Sequence, residues 1–380
     1  MHICQLSSTT LDSHYFGSLG LGFSASGATQ VCGSLMEKNP PTWLTEAERI
    51  SYFCLNARGR LHYPQAVLRL ARLLRRERIE ILQTHLYDAG VVGILAARMA
   101  RTPVVVVARH HLDEPQLLGT RWHVKTDGWM ARRASCVVVP SDAVRRHMIA
   151  REGLSGDNIE VIHYGFDFDE FLATEEDGKR VRREFGLENA FVLGNVGRFF
   201  KNKGHAYLIE ALKELALEIP NIKLLLLGSG DRASIEEMAR REGVEDRVVF
   251  AGFRKDVSAC MRAFDLLVHP SLSESFGQVL VEAMAVGTVV VASRVGGVPE
   301  IVSDGETGRL VPPMDSGAIV SAVLDLYRNA DRREQLGLAG QKSVRERFTD
   351  AQMVNGYLDC YRRYLEKSFK GQKNYVAAQT

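Results

Sequence analysis

Two glutamates with seven residues between them, Glu274 and Glu282, stand in the stretch HPSLSESFGQVLVEAMAVG from His269 to Gly287. It reads as strand end, loop and helix, with Phe276, Val279, Leu280, Ala283 and Met284 on an apolar helical face and Gly287 ending it. Glu282 lies between Val281 and Ala283, where an ionised carboxylate is costly unless donors meet it. Two ribose hydroxyls are suitable donors, and so is a buried arginine. Glu274, at the junction of loop and helix, can accept from sugar hydroxyls near the helix's positive end or serve simply as a cap.

Phosphate chemistry needs cations and unpaired amides. Gly197-Arg198-Phe199-Phe200-Lys201-Asn202-Lys203-Gly204-His205 follows an apolar strand, so its backbone N–H groups and the charges of Arg198 and Lys203 suit a diphosphate leaving group. An ordinary basic turn has the same composition, and neither a Walker motif nor a dinucleotide fingerprint is present. Gly228-Ser229-Gly230, after KLLLL, permits close approach of backbone to ligand, although a tight strand-to-helix turn wants the same residues. Gly296-Gly297, just before Val298-Pro299, makes a third such loop in the same half, with amides suited to phosphate or sugar oxygens. In the first half, His110 follows PVVVVAR at a strand's carboxyl end, and its neutral ring can orient a sugar. His111 beside it and His85 in QTHLYDAG compete for that role, and each also reads as a polar loop or core residue.

Positioning these groups takes two α/β domains. Strand-like runs at Ile3 to Leu6, Ile79 to Gln83, Val104 to Ala108, Cys136 to Pro140 and Glu160 to His163 alternate with helical segments. The rhythm resumes at Phe191 to Val196, Ile222 to Leu227, Val248 to Ala251, Leu266 to His269 and Val289 to Ala292. Short apolar strands separated by helices predict parallel sheets covered on both faces. The polar run from Asp167 to Asn189 marks the boundary, and 380 residues suffice for two cores. The expected division is 1–170, 171–350 and a C-terminal helix with tail over 351–380, the helix packing back through Val354, Tyr357, Leu358, Tyr361 and Tyr364 and KGQKNYVAAQT trailing loosely.

Lysine and arginine number 48 against 46 acids, which gives no support to a nucleic-acid partner. Six cysteines, at 4, 32, 54, 136, 260 and 360, form no zinc spacing and read as small buried hydrophobes. With no basic leader and no 18-residue apolar run, the expectation is a cytoplasmic protein. The segment from Pro64 to Arg78 places Val67, Leu70, Ala71, Leu73 and Leu74 opposite five arginines, either a solvated helix or one that meets anionic lipid.

In order, GRFFKNKG, LLLGSG, VVFAGFRKDV, DLLVHPS, ESFGQVLVE, EAMAVG, ASRVGGVPEIV and DGETGRLVPP make most of residues 190 to 315 resemble glycosyltransferase family 4, the retaining GT-B enzymes. Ile79 through Asp167 resembles it more loosely. The resemblance implies two Rossmann-like domains facing across a cleft, the first on the acceptor side and the second binding the nucleotide sugar. It implies a UDP- or GDP-linked sugar as donor substrate without a separate cofactor, and no Asp-x-Asp motif marks a metal site. It assigns Arg198 and Lys203 to the diphosphate, Glu274 to the sugar, Glu282 to the ribose and Phe253 with Arg254 to the base. Backbone of Phe276, Gly277 and Gln278 would lie near sugar and phosphates, and His110 best matches a histidine placed near the transferred sugar.

The implied reaction retains anomeric configuration by same-face attack on an oxocarbenium-like centre. The expected acceptor is a glycan or lipid-linked glycan, with peripheral contact at an anionic cytoplasmic membrane face. A sugar-nucleotide epimerase, a GT-B phosphorylase and a non-catalytic sugar-nucleotide-binding protein are the alternatives. Two departures stand out: Gly17-Ser-Leu-Gly20-Leu-Gly22 replaces the family's Gly-Gly pair in the first strand-to-helix loop, and Thr288 stands where proline is frequent.

Overall fold

The computed structural model describes residues 1–46, 50–112, 121–169 and 171–377. The chain forms two compact units, Met1–Phe166 with Thr349–Thr380, and Asp167–Phe348. In the first, β1 (His2–Ser7), β2 (Thr29–Ser34), β3 (Ile50–Cys54), β4 (Ile81–His85), β5 (Val104–Ala108), β6 (Cys136–Val139) and β7 (Ile159–Val161) form one parallel sheet in the order β3-β2-β1-β4-β5-β6-β7. In the second, β8 (Phe191–Val196), β9 (Ile222–Leu227), β10 (Val248–Gly252), β11 (Leu266–His269), β12 (Val290–Ser293) and β13 (Arg309–Val311) run parallel in the order β10-β9-β8-β11-β12-β13. Both are Rossmann-like: strand order reverses between β1 and β4 and again between β8 and β11, and such reversals open the crevice where α/β sheets bind ligands.

Three strands carry no clear signal in the sequence. β2, TQVCGS, mixes polar residues with glycine; β3, ISYFC, is a half-buried edge strand; β13, RLV, has three residues. None has the continuous apolar run of a central parallel strand. β4 begins two residues later than expected because the Ile79 amide bonds the Leu74 carbonyl and closes the preceding helix, Tyr63–Arg76.

The glycines of GSLGLG are not in a strand-to-helix loop. They lie within the helix His14–Ala25, and the loop after β1 is Ser8 to Ser13. A Cβ on Gly20 would come within 2.4 Å of the Trp43 ring, and one on Gly22 within 2.5 Å of Val354. These glycines therefore let neighbours approach the helix, and Val354 belongs to the C-terminal helix Asp350–Ala377. That helix buries Val354, Tyr357, Leu358, Tyr361 and Tyr364 in the first unit. Its backbone stays helical to Ala377, so most of the stretch expected to trail loosely continues the helix; the last three residues lie outside the described set. Five cysteines are buried, whereas Cys54, on the edge strand β3, is only half-buried.

Candidate functional site

In the second unit Lys203 and Glu274 meet at the reversal between β8 and β11. The ladder joining these strands pairs Leu193 and Gly194 with Leu266 and Leu267; beyond it the Asn195 side chain donates to the Val268 carbonyl at 2.9 Å. Here the loops after β8 and β11 lock together. Gly204, at φ +70°, is so close to the Pro270 carbonyl that a Cβ would sit 1.9 Å from its oxygen. The Leu272 amide donates to the Asn202 carbonyl at 2.8 Å. Lys203 Nζ then reaches Glu274 Oε2 at 2.7 Å.

Glu274 Oε2 also meets His269 Nε2 at 3.1 Å, and the same ring nitrogen lies 3.0 Å from Ser271 Oγ. Burial alone would raise the Glu274 carboxyl, but the His269 hydrogen bond and the charges of His269 and Lys203 outweigh it and hold the group at about 2. The carboxylate is therefore fixed in its charged form. The sequence pattern gives His269 and Ser271 no role of their own, although both stand in the His-Pro-Ser run that leads to Glu274.

The glycine loops pack on the loop after β8 and on the backbone of Glu274. A Cβ on Gly228, at φ +143°, would lie 1.8 Å from the Gly197 carbonyl oxygen, and one on Gly230, at φ +133°, would lie 3.0 Å from Phe199 backbone atoms. The Gly228 amide donates to the Gly252 carbonyl at 2.9 Å, and the Gly297 amide to the Glu274 carbonyl at 3.1 Å. Loop-on-loop packing thus accounts for Gly228 and Gly230, and Gly297 anchors Glu274's backbone. Gly296, at φ +49°, makes the turn into the short helix Val298–Ile301.

Gly277, at φ +111°, caps the helix Gln278–Ala285, which presents Gln278 and half-buried Val279 and Glu282 along one stripe while Leu280, Val281 and Ala283 are buried. Glu282 is thus only half-buried, and the desolvation cost expected from its apolar neighbours is reduced: the 3.6-residue period turns it away from them. Phe276 is a core residue, its ring edge-on to Phe348 with centroids 5.4 Å apart, so its backbone is what it can offer a ligand. The Arg198 guanidinium lies over the Phe200 ring at 5.2 Å.

Phe253 is 79% exposed and Arg254 is not. The Arg254 guanidinium is held by Glu184 at 2.5 and 3.0 Å and by Asp256 at 2.8 and 2.9 Å. Arg254 therefore braces its loop, and the ring of Phe253 is the exposed surface there. His205, 5% exposed, begins the helix after Gly204; burial first, with His269 and Lys203 adding to it, lowers its pKa to about 4.

In the first unit, His85 ends β4 and His110 follows β5. His85 Nδ1 lies 3.2 Å from His110 Nε2, and His110 Nδ1 lies 2.7 Å from the Tyr164 hydroxyl. The rings of His110 and Tyr164 stack at 5.8 Å. Burial, with a contribution from His111, pushes the His110 pKa down to about 4, and burial drives that of His85 lower than usual, so both rings are neutral near pH 7. His111 instead bonds Asp127 through Nε2 at 3.0 Å. Arg109, just before these two, forms a buried bidentate pair with Glu152 at 2.8 and 2.6 Å and donates to the carbonyls of His111 and Leu112, fixing the backbone that carries both histidines. Asp127 and Tyr164 are far in sequence from these histidines, and no spacing signals them.

Among the described residues no cluster of His, Cys, Asp or Glu is arranged to hold a metal ion. The family profile described as Glycosyl transferases group 1 matches residues 178–343, and that described as Glycosyltransferase Family 4 matches residues 33–170. The chain is 31% identical to a phosphatidyl-myo-inositol mannosyltransferase of Mycobacterium leprae, over 76% of this chain and 75% of that one. It is 27% identical to an N-acetyl-alpha-D-glucosaminyl L-malate synthase of Bacillus anthracis, over 80% of each. Among solved structures, Anabaena Alr3699/HepE in complex with UDP and glucose superposes with a TM-score of 0.80 at 26% identity, covering 94% of this chain and 98% of that one.

Proposed function

This chain belongs to glycosyltransferase family 4, and on that basis we propose which of its residues act on which part of the donor and what kind of acceptor it serves. It has the GT-B fold and is a retaining glycosyltransferase whose donor is a nucleoside-diphosphate sugar. The observation that carries the residue assignment is the placement of Lys203 and Glu274 together at the reversal between β8 and β11. A ligand in that crevice meets a cation and a permanently charged carboxylate side by side.

In this reading Lys203 and Arg198 face the diphosphate. Their benefit grows as charge builds on the leaving group, so it falls on the transition state more than on binding. Lys203 is pre-positioned by Glu274 and exchanges part of that contact for phosphate oxygen when the donor arrives. Glu274 accepts from hydroxyls of the transferred sugar, with Oε1 as the oxygen that Lys203 and His269 do not occupy. Glu282 accepts from the ribose, the Phe253 ring lies against the base, and the backbone from Phe276 to Gln278 borders sugar and phosphates. In the first unit His110, neutral and braced by Tyr164 and His85, orients the transferred sugar. The acceptor hydroxyl attacks on the face the diphosphate leaves, and a leaving phosphate oxygen takes its proton.

The acceptor is a glycan or a lipid-linked glycan, met at the cytoplasmic face of a membrane. The M. leprae relative, named for a phosphatidyl-inositol acceptor, supports the lipid-linked form, and HepE, seen with UDP and glucose, makes UDP-glucose the first donor to try. The test is a donor-by-acceptor screen that reads nucleoside diphosphate release and product mass, with soluble and lipid-linked saccharides offered separately. Release that depends on a lipid-linked or free saccharide supports the reading. Efficient transfer only to a small non-saccharide molecule overturns the acceptor class, and donor isomerisation without transfer overturns the residue roles.

A further inference from the structure

Adjacent histidines in the first unit are held in opposite ways. His110 has both ring nitrogens engaged, Nε2 by His85 at 3.2 Å and Nδ1 by the Tyr164 hydroxyl at 2.7 Å. His111 is held at one nitrogen: Nε2 meets Asp127 Oδ2 at 3.0 Å, and Nδ1 has no partner among the described residues. Facing a carboxylate, Nε2 carries the ring proton and Nδ1 is left with its lone pair. The Asp127 side chain is 7% exposed and that of His111 19%, so the orienting bond is shielded while the ring stays within reach of a ligand.

The setting is rigid. Arg109, in its buried pair with Glu152, donates to the carbonyls of His111 at 3.3 Å and Leu112 at 3.1 Å, and Asp127 stands on the helix Arg121–Arg133. Arg109, His110, His111 and Asp127 share the wall of a cavity of about 30 Å³ at the carboxyl end of β5, room for one water-sized group. That end of a parallel sheet is where α/β folds place their ligands. A carboxylate, an imidazole fixed in one tautomer and a bare nitrogen beside a small cavity make a hydrogen-bond acceptor for a hydroxyl.

We infer that His111 is a further catalytic residue, one that takes the acceptor's hydroxyl. The acceptor O–H donates to Nδ1, Asp127 acts as a positioning residue that keeps the ring in the accepting tautomer, and the oxygen is held for attack. During transfer the acceptor oxygen bonds the anomeric carbon, the bond from that carbon to the phosphate oxygen breaks, and the hydroxyl proton passes to the departing phosphate. The ring gains no proton. This chemistry selects a neutral alcohol, such as a saccharide hydroxyl, over an acceptor that attacks through a carboxylate, which has no proton to give. The inference rests on the reading of His110 as the contact to the transferred sugar, since it puts sugar and acceptor on consecutive residues of one strand end.

The full chain labelled at histidine is followed by nitrogen NMR, the His111 signals being those lost in His111→Leu. At alkaline pH the ring proton is expected on Nε2, with the Nδ1 signal at the position of a bare nitrogen. Adding UDP with octyl glucoside, a soluble saccharide, is expected to move the Nδ1 signal as a hydrogen bond forms there. With UDP-glucose and octyl glucoside, His111→Leu is expected to lose about a hundredfold in turnover while KM for UDP-glucose stays within about twofold. His111→Asn, whose amide oxygen falls near the place of Nδ1, is expected to recover about tenfold of that loss. A ring proton on Nδ1, an Nδ1 signal indifferent to octyl glucoside, or equal turnover in the Leu and Asn variants overturns the inference. A parent chain that leaves UDP-glucose intact overturns the choice of donor, and the NMR measurements still decide the role of His111.

Discussion

Lys203→Met separates catalysis from stability because Lys203 does two things at once. In the folded chain it holds Glu274 at 2.7 Å, and in the proposed reaction it faces the departing diphosphate. Glu274's carboxyl, ordinarily near 4.5, is depressed to about 2, which corresponds to about 3 kcal/mol of pH-linked stability. A depressed carboxyl contributes fully above its unfolded pKa and loses that contribution as pH falls through the folded value, so the window lies between about 4.5 and 2. His269 supplies the larger share, which leaves about 1 kcal/mol to Lys203, a residue still a quarter exposed. Urea unfolding at pH 7 should therefore show Lys203→Met weakened by about 1 kcal/mol, with acid unfolding beginning at higher pH. Turnover at saturating donor should fall far more, by about 10² to 10³, the usual cost of removing one preorganised donor from developing charge. A double variant, Lys203→Met with Glu274→Gln, should not recover the stability, because Glu274 keeps its His269 hydrogen bond in the single variant and the amide gives up that charged bond, and it should recover none of the turnover. A single variant with turnover within about twofold of the parent refutes the leaving-group role, and a double variant that regains turnover reduces Lys203 to a partner of Glu274.

Glu282→Ala should weaken donor binding by about 1.5 to 3 kcal/mol, read by calorimetry with the nucleoside diphosphate, and a loss of folding stability with donor affinity unchanged would refute the ribose role. Gly228→Ala should cost about 3 kcal/mol or more in denaturant unfolding, since its Cβ would sit 1.8 Å from the Gly197 carbonyl oxygen at φ +143°. Gly22→Ala should cost about 1 to 3 kcal/mol through its 2.5 Å encounter with Val354, and Val354→Ala in the same chain should restore part of that loss. His110 and His205 are lowered from 6.5 to about 4, so the unfolded chain binds more protons between those values and stability should drop as pH falls from 6.5 to 4. His110→Gln should flatten that slope in urea midpoints measured across the same interval.

The fold class is legible in the chain alone. Continuous apolar strands such as VVVVA and KLLLL, separated by helical periods, admit few arrangements other than parallel sheets covered by helices. The candidates for a donor site are legible too, because Arg198, Lys203, Glu274 and Glu282 lie in local strand-loop-helix segments whose pattern is complete within about twenty residues. What the letters leave open is which of these groups touch one another. Lys203 and Glu274 are 71 residues apart and meet only because β8 and β11 are neighbours in the sheet. Likewise, His110 and His111 are equivalent as letters, but successive residues of an extended chain point in different directions, and one meets Tyr164 while the other meets Asp127. Glycine is the least legible residue. In GSLGLG it admits Trp43 and Val354 to a helix, and in GSG it admits the backbone of another loop, and both needs arise from atoms that only folding brings near.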